Sequence, residues 1–179
     1  ENNLNWFSKL KKLHFASLRY FNAAGYDMKK RIVSLESNPQ NLIPKVMESI
    51  FDKRKKIDIY GNDYSTKDGT GVRDYVHVND LAEAHIKSMN YISKNKKNLI
   101  INLGTEVGYT VLDVIKKAEK LSGQKVNYNF CDRRYGDPET MISNSACAKE
   151  LIGWDPSFSD LETIIKTTLY VYKISKNLR

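Results

Sequence analysis

Among the residues able to do chemistry, Arg73 has the most telling neighbours. It follows a stretch dense in glycine, asparagine and aspartate, Gly61-Asn-Asp-Tyr-Ser-Thr-Lys-Asp-Gly-Thr-Gly71, and precedes Asp74-Tyr-Val-His-Val-Asn-Asp80. Gly61, Gly69 and Gly71 allow backbone to come close to a ligand, and Arg73 sets a planar, permanent charge beside it. The chemistry this suggests is the holding of a ligand between close backbone and a fixed charge. On its own the loop is a modest signal, since Gly and Asp mark ordinary turns for local reasons.

Other reactive side chains read as structural. His77 falls on a β-like run, His85 on a helix face and His14 at a strand edge, and no Ser or Asp is arranged with them for nucleophilic work. Asp63 and Asp68 make an acidic turn too irregular for a calcium loop. Tyr75 could hydrogen-bond a ligand but reads more readily as core, and Arg133 reads as a surface neighbour of Arg134. Cys131 and Cys147 lack zinc-ligand spacing, and no metal is expected.

The elements that must position Arg73 are those of an α/β unit. Ile57–Tyr60 is a short β-like run before the loop, Tyr75–Val78 a second after it, and Asn79 or Asp80 opens a helix. That helix is expected to bury Leu81, Ala82, His85, Ile86 and Met89. Upstream, Leu4, Phe7 and Leu10 have helical spacing, and Phe15–Phe21 is a nearly continuous apolar run, as in a parallel strand buried on both faces. Asn22–Gly25 reads as the turn at its carboxyl end and Tyr26–Gln40 as a surface loop. Asn41–Pro44 starts a helix whose apolar stripe is Val46, Met47, Ile50 and Phe51, with the basic run Lys53–Lys56 at its C-terminal end.

Leu99–Leu103 is a second buried strand closed by Gly104. Thr110 and Asp113 fit a capping box for a helix ended by Gly123, and Lys125–Phe130 alternates like a strand with one wet face. Arg133–Asp137 is a loop, a short helix runs from about Asn144 to Ile152, and Ser159 with Glu162 fits a capping box for the last helix. Neither an internal repeat nor a linker divides the chain, so one compact α/β unit over 1–179 is expected.

At 179 residues, with 41% hydrophobic and 11% aromatic residues, the chain can bury a real core. No apolar run approaches the roughly 20 residues of a membrane span, and the N-terminal residues lack the charged-then-apolar pattern of a secretory leader. The two cysteines therefore read as reduced thiols in a cytoplasmic protein without membrane contact. A net charge of +8 invites a nucleic-acid partner, but the lysines are scattered over helix faces and loops with no basic-aromatic platform, so none is expected.

As a whole string, residues 57–80 resemble the corresponding segment of the UDP-glucose 4-epimerases, members of the extended short-chain dehydrogenase/reductase superfamily. The resemblance extends to Leu18-Arg-Tyr-Phe-Asn-Ala-Ala-Gly25, Asn41-Leu-Ile-Pro44, Asn102-Leu-Gly104, Val107-Gly108, Val111-Leu-Asp-Val114 and Arg133-Arg-Tyr-Gly-Asp137, in that order. It implies the C-terminal part of an extended Rossmann-type fold: the end of an NAD-binding domain (about 1–25 and the strand near 99–103) plus a nucleotide-sugar-binding subdomain. It also implies NAD as cofactor, a UDP-sugar as substrate and a homodimer as the full-length assembly.

By the same resemblance Tyr20 and Phe21 lie at the nicotinamide, and Asn22 reaches the substrate diphosphate. Asn41 and Leu42 contact the nucleotide, and Asp58 and Tyr60 meet the uracil, although the family has a small residue where this chain has Asp58. Arg73 and Arg134 clamp the diphosphate, Asp137 binds the ribose hydroxyls, Val111 packs on the uridine and Met141 lies beside the hexose. The chemistry agrees: a diphosphate favours Arg over Lys, and a diol favours a carboxylate acceptor.

In that superfamily a Tyr-x-x-x-Lys with an upstream Ser moves the proton. Tyr20 and Tyr91 lack a lysine four residues on, and no Gly-x-x-Gly-x-x-Gly run opens the chain. The resemblance places Glu1 just after these groups, so no catalytic residue is expected here and an N-terminal half is the expected partner. The alternatives are an inactive nucleotide-sugar-binding fragment, or another NAD-dependent nucleotide-sugar epimerase or dehydratase.

Overall fold

A computed structural model describes residues 1–177. Its elements are α1 (Asn2–Lys11), β1 (Ala16–Tyr20), β2 (Asn22–Ala24), α2 (Leu42–Phe51), β3 (Ile57–Tyr60), β4 (Val72–His77) and α3 (Val78–Asn95). They continue with β5 (Leu99–Leu103), β6 (Gly108–Thr110), α4 (Val111–Ser122), β7 (Tyr128–Cys131), β8 (Thr140–Met141), α5 (Ala146–Ile152) and α6 (Leu161–Asn177). β1 pairs with β5 in parallel, Ala16 opposite Leu99 through Tyr20 opposite Leu103, and β3 pairs in parallel with β7. β4 is the hub: it takes β2 and β8 in parallel and β6 antiparallel.

Two apolar clusters hold these strands. In one, α2, α4 and α6 pack together through residues such as Val46, Met47, Ile115, Ile164 and Ile165, closing over Ile57 and Ile59 of β3. In the other, Leu81 and Ala84 of α3 meet Leu99, Ile101 and Leu103 of β5, with Trp154 behind them. The consequence for a site lies in the alternation of β3. Burying Ile57 and Ile59 turns Asp58 and Tyr60 to the other face.

Local rules hold where one segment settles the matter. Thr110 Oγ1 accepts from Asp113 N–H and the Asp113 carboxylate accepts from Thr110 N–H, both at 3.0 Å, and Gly123 ends the helix at φ 71°. They fail where a distant partner intervenes. Ser159 does not cap α6: its hydroxyl is engaged by the buried Asp80 carboxylate and accepts from His77 N–H at 2.8 Å. Asp160 caps instead, accepting from Thr163 N–H at 2.9 Å. Likewise α3 begins at Val78, capped by His77 Nδ1, which accepts from Asn79 N–H at 3.1 Å.

Other expectations need correction. Asn22–Ala24 is a strand, because β4 offers it a parallel edge, and the turn is left to Gly25 at φ 83°. The strand expected at Lys125–Phe130 is β7, shifted toward Cys131 and exposed, with only Val126 of that stretch buried. Ile86 and Met89 of α3 are exposed, as are Tyr20 of β1 and the apolar residues Trp6, Phe7 and Leu10 of α1. An apolar run states what an element can bury, not what comes to cover it: Trp6 and Phe7 meet each other edge to face, and Tyr20 and Met89 line an open groove. β8 was not foreseen; two residues carry no periodicity.

Candidate functional site

β3, the loop after it, β4 and the starts of α2 and α4 enclose a cleft of about 430 Å³, with the 133–137 loop as its remaining wall. The position of each wall follows from local chemistry. Asp68 receives the Thr110 hydroxyl at 2.5 Å and the Thr70 hydroxyl at 2.7 Å, which fastens the glycine-rich loop to the N-terminus of α4. Lys67 pairs with Asp113 at 2.7 Å across the same junction. Val111 N–H donates to Gly71 carbonyl at 3.2 Å. A Cβ on Gly71 would lie 3.2 Å from Arg73 Nη1, so the guanidinium rests against bare backbone.

Arg73 is well covered, with 17% of its side chain exposed, and forms an ion pair with Asp137. Its Nη1 donates to the Val72 carbonyl at 2.8 Å. Arg134 lies over the ring of Tyr60, its guanidinium carbon 3.7 Å from the ring centroid. Asn22 also lines the cleft, its amide nitrogen donating to the Asp74 carbonyl at 2.8 Å. Asn41 is the N-cap residue of α2 but makes no side-chain cap hydrogen bond, and with Leu42 it forms the opposite wall. Asp58 and Val111 complete the set of predicted residues that the structure brings together. Tyr75 lies at the buried side, where burial pushes its phenol up to about 12 against the pull of Arg73, so it remains a protonated donor.

Three predicted residues do not line this cleft. The Tyr20 hydroxyl is 2.6 Å from His85 Nε2, in a groove beside α3. Phe21 sits between β1 and β2, its N–H donating to the Leu103 carbonyl at 3.1 Å. Met141 is exposed on β8, opposite Arg73 in the strand register. Arg133 is a surface residue as expected, paired with Asp63 at 2.7 Å. Beside Asp58, the Cys131 thiol is pushed up by burial first and by the carboxylate second; both cysteines are free.

Sequence reasoning missed Lys45, Glu48, Lys55 and Lys56, which make this end of the cleft basic, with Glu48 bonded to Lys55 at 2.8 Å. The signal was present: Asn41, Lys45 and Glu48 share one helical face, opposite the buried Val46, Met47 and Ile50. The assembled groups can hold an extended anion beside a flat ring, with a carboxylate and amides to accept and donate around it.

The sequence pattern of the family described as GDP-mannose 4,6 dehydratase matches residues 2–168. The UDP-glucose 4-epimerase of Streptococcus mutans is 40% identical over 165 residues, which is 92% of this chain and 50% of that protein. A UDP-glucose 4-epimerase from Stenotrophomonas maltophila, solved with NAD and formylated UDP-arabinopyranose, superposes with a TM-score of 0.91 at 30% identity, over 99% of this chain and 53% of that one. The Bifidobacterium longum enzyme, solved with NAD⁺ and UDP, gives 0.87 at 32% identity, over 97% and 52%. The chain spans about half the length of the curated relatives it matches. No helix among the described residues is long and apolar enough to cross a membrane. With the matched pattern covering nearly all of it and the α/β fold of the solved epimerases, the chain belongs to the family described as GDP-mannose 4,6 dehydratase.

Proposed function

We propose that this chain is the nucleotide-sugar-binding portion of an NAD-dependent UDP-glucose 4-epimerase. One observation carries the reading: Arg73 of β4 and Arg134 and Asp137 of the 133–137 loop meet Asn22, Asn41, Tyr60 and Val111 in one cleft. Arg73 and Arg134 bind the diphosphate with help from Asn22, and Asp137 accepts the ribose hydroxyls. Asn41, Leu42, Asp58, Tyr60 and Val111 surround the uridine, and Met141 approaches the hexose from the β8 side. Epimerisation at a sugar carbon needs the nucleotide held firmly while the hexose turns, and binding energy on the non-reacting part supplies that hold.

Residues 1–25, to about that boundary, and the strand near 99–103 form the end of the NAD-binding domain and the rest the sugar-binding subdomain; the second apolar cluster, which joins α3 and Trp154 to β5, packs across that division. Tyr20 and Phe21 stand at the carboxyl end of the parallel pair β1–β5, where α/β sheets take their ligands. That position fits a nicotinamide contact through Phe21 and the backbone of Tyr20, since the Tyr20 hydroxyl is engaged by His85. Bound NAD supplies reversible hydride exchange at the sugar C4. The proton-transfer tyrosine, its lysine and the remaining cofactor contacts belong to an N-terminal half, and the working protein is a cytoplasmic homodimer.

The name of the matched family favours a second reading, a nucleotide-sugar dehydratase. Incubating the intact protein with NAD and UDP-glucose separates them. UDP-galactose is expected; a 4-keto-6-deoxy sugar nucleotide would establish the dehydratase, and UDP-glucose bound but left unconverted would establish a binding protein.

A further inference from the structure

Arg73 and Asp137, assigned above to different parts of one ligand, hold each other. The Arg73 fork is fixed further by the carbonyls of Val72 at 2.8 Å and Glu139 at 3.5 Å. Asp137 in turn is fixed by its own N–H, which donates to the Arg134 carbonyl at 3.2 Å. Side-chain exposures of 17% and 34% make the pair less screened than one on the open surface. Arg134 is different: it has a ring beneath it and no ion-pair partner among the described residues. One expected anion-binding cation is therefore available, and the other is neutralised by a carboxylate of the same site.

We propose that Asp137 is a specificity-determining residue whose ion pair withholds Arg73 from bare phosphate anions and yields it to a ligand that also brings vicinal hydroxyls. The proposal rests on the nucleoside diphosphate reading of the cleft. A ligand that is only an anion must separate the pair and leave the Asp137 carboxylate uncompensated beside its own charge. A ligand that is only a diol finds the carboxylate already taken. A ribonucleoside diphosphate re-satisfies both partners at once, the diphosphate taking the guanidinium and the ribose hydroxyls donating to the carboxylate. The cleft thereby rejects inorganic pyrophosphate, which presents a similar anion with no sugar.

The test is calorimetric binding of UDP and of inorganic pyrophosphate to the intact protein and to Asp137→Asn, Arg73→Ala and the double variant. Asp137→Asn is expected to weaken UDP binding and to tighten pyrophosphate by about three- to fivefold, the upper scale of a partly exposed ion pair. In the Arg73→Ala background the same change should alter pyrophosphate binding by less than about twofold, the scale of a weak charge effect. Pyrophosphate binding unchanged or weakened by Asp137→Asn would overturn the proposal. Equal tightening with and without Arg73 would also overturn it, since simple repulsion would then suffice. UDP binding indifferent to Arg73→Ala would instead remove the reading of the cleft itself, and the proposal with it.

Discussion

Arg134 lies over the ring of Tyr60, its guanidinium carbon 3.7 Å from the ring centroid. The contact joins the 133–137 loop to the outward face of β3, so a strand buried on its other side fixes where a loop cation stands. Tyr60→Leu keeps apolar volume and removes the ring. It is expected to weaken UDP binding by about 0.5–2 kcal/mol, the range of a cation–π contact, whereas Tyr60→Phe should stay close to the parent. Equal losses in the two variants by calorimetry would show that the hydroxyl, not the ring, matters.

Thr110 both caps α4 and tethers the glycine-rich loop through Asp68. Thr110→Val keeps the shape and removes both hydrogen bonds. Urea unfolding should show a loss of about 0.5–2 kcal/mol, the range for a lost N-cap, with Thr110→Ser recovering most of it. A valine variant as stable as the parent would mean that neither bond contributes.

Gly104 approaches two buried groups: a Cβ there would lie 2.5 Å from Ser143 Oγ and 2.6 Å from Asp74 Oδ2. Asp74 is fully buried and accepts from Thr105, Glu106 and Ser143, so neither neighbour can withdraw without losing hydrogen bonds. Gly104→Ala is expected to cost about 1–3 kcal/mol, as overpacking does. Thermal unfolding unchanged by this substitution would contradict the close approach.

His77 gives the fold a pH dependence. Burial holds its pKa below the usual 6.5, against the opposing pull of Asp80, Asp160 and Asp27. Because the unfolded chain then binds more protons, this contribution to stability is complete above about pH 6.5 and is lost as pH falls toward the folded value. Protonation also removes the Nδ1 lone pair that caps α3. His77→Asn retains a cap acceptor and does not titrate. Melting temperature measured from pH 7.5 to pH 5 should fall less steeply in this variant; parallel curves would assign the dependence elsewhere.

What the sequence revealed follows from the range of each interaction. The Thr110–Asp113 box and the Gly123 stop involve neighbours along the chain and were legible. Asp58 and Tyr60 were marked out only by the family resemblance; the structure supplies the reason, since burying Ile57 and Ile59 leaves them the other face. Ser159 was misread because its partner, Asp80, lies 79 residues earlier. The strand Asn22–Ala24 depends on an edge that β4 provides, and no pattern in three residues announces it. In the cleft, an ordered string of motifs pointed to Arg73, Arg134 and Asp137, but nothing in it foretold that Arg73 and Asp137 would pair. Lys45 and Glu48 lie on the face of α2 opposite its buried stripe, where a cleft wall and a solvated surface carry the same polar residues.

The central claim is that Arg73 and Arg134 together bind the diphosphate of a nucleotide sugar. Titrating UDP into the intact protein and into Arg73→Ala and Arg134→Ala, by calorimetry at fixed ionic strength, tests it most directly. The account predicts that each substitution weakens binding by about 1.5–3 kcal/mol, the range for hydrogen bonds to charged groups. UDP affinity unchanged in either variant would contradict it.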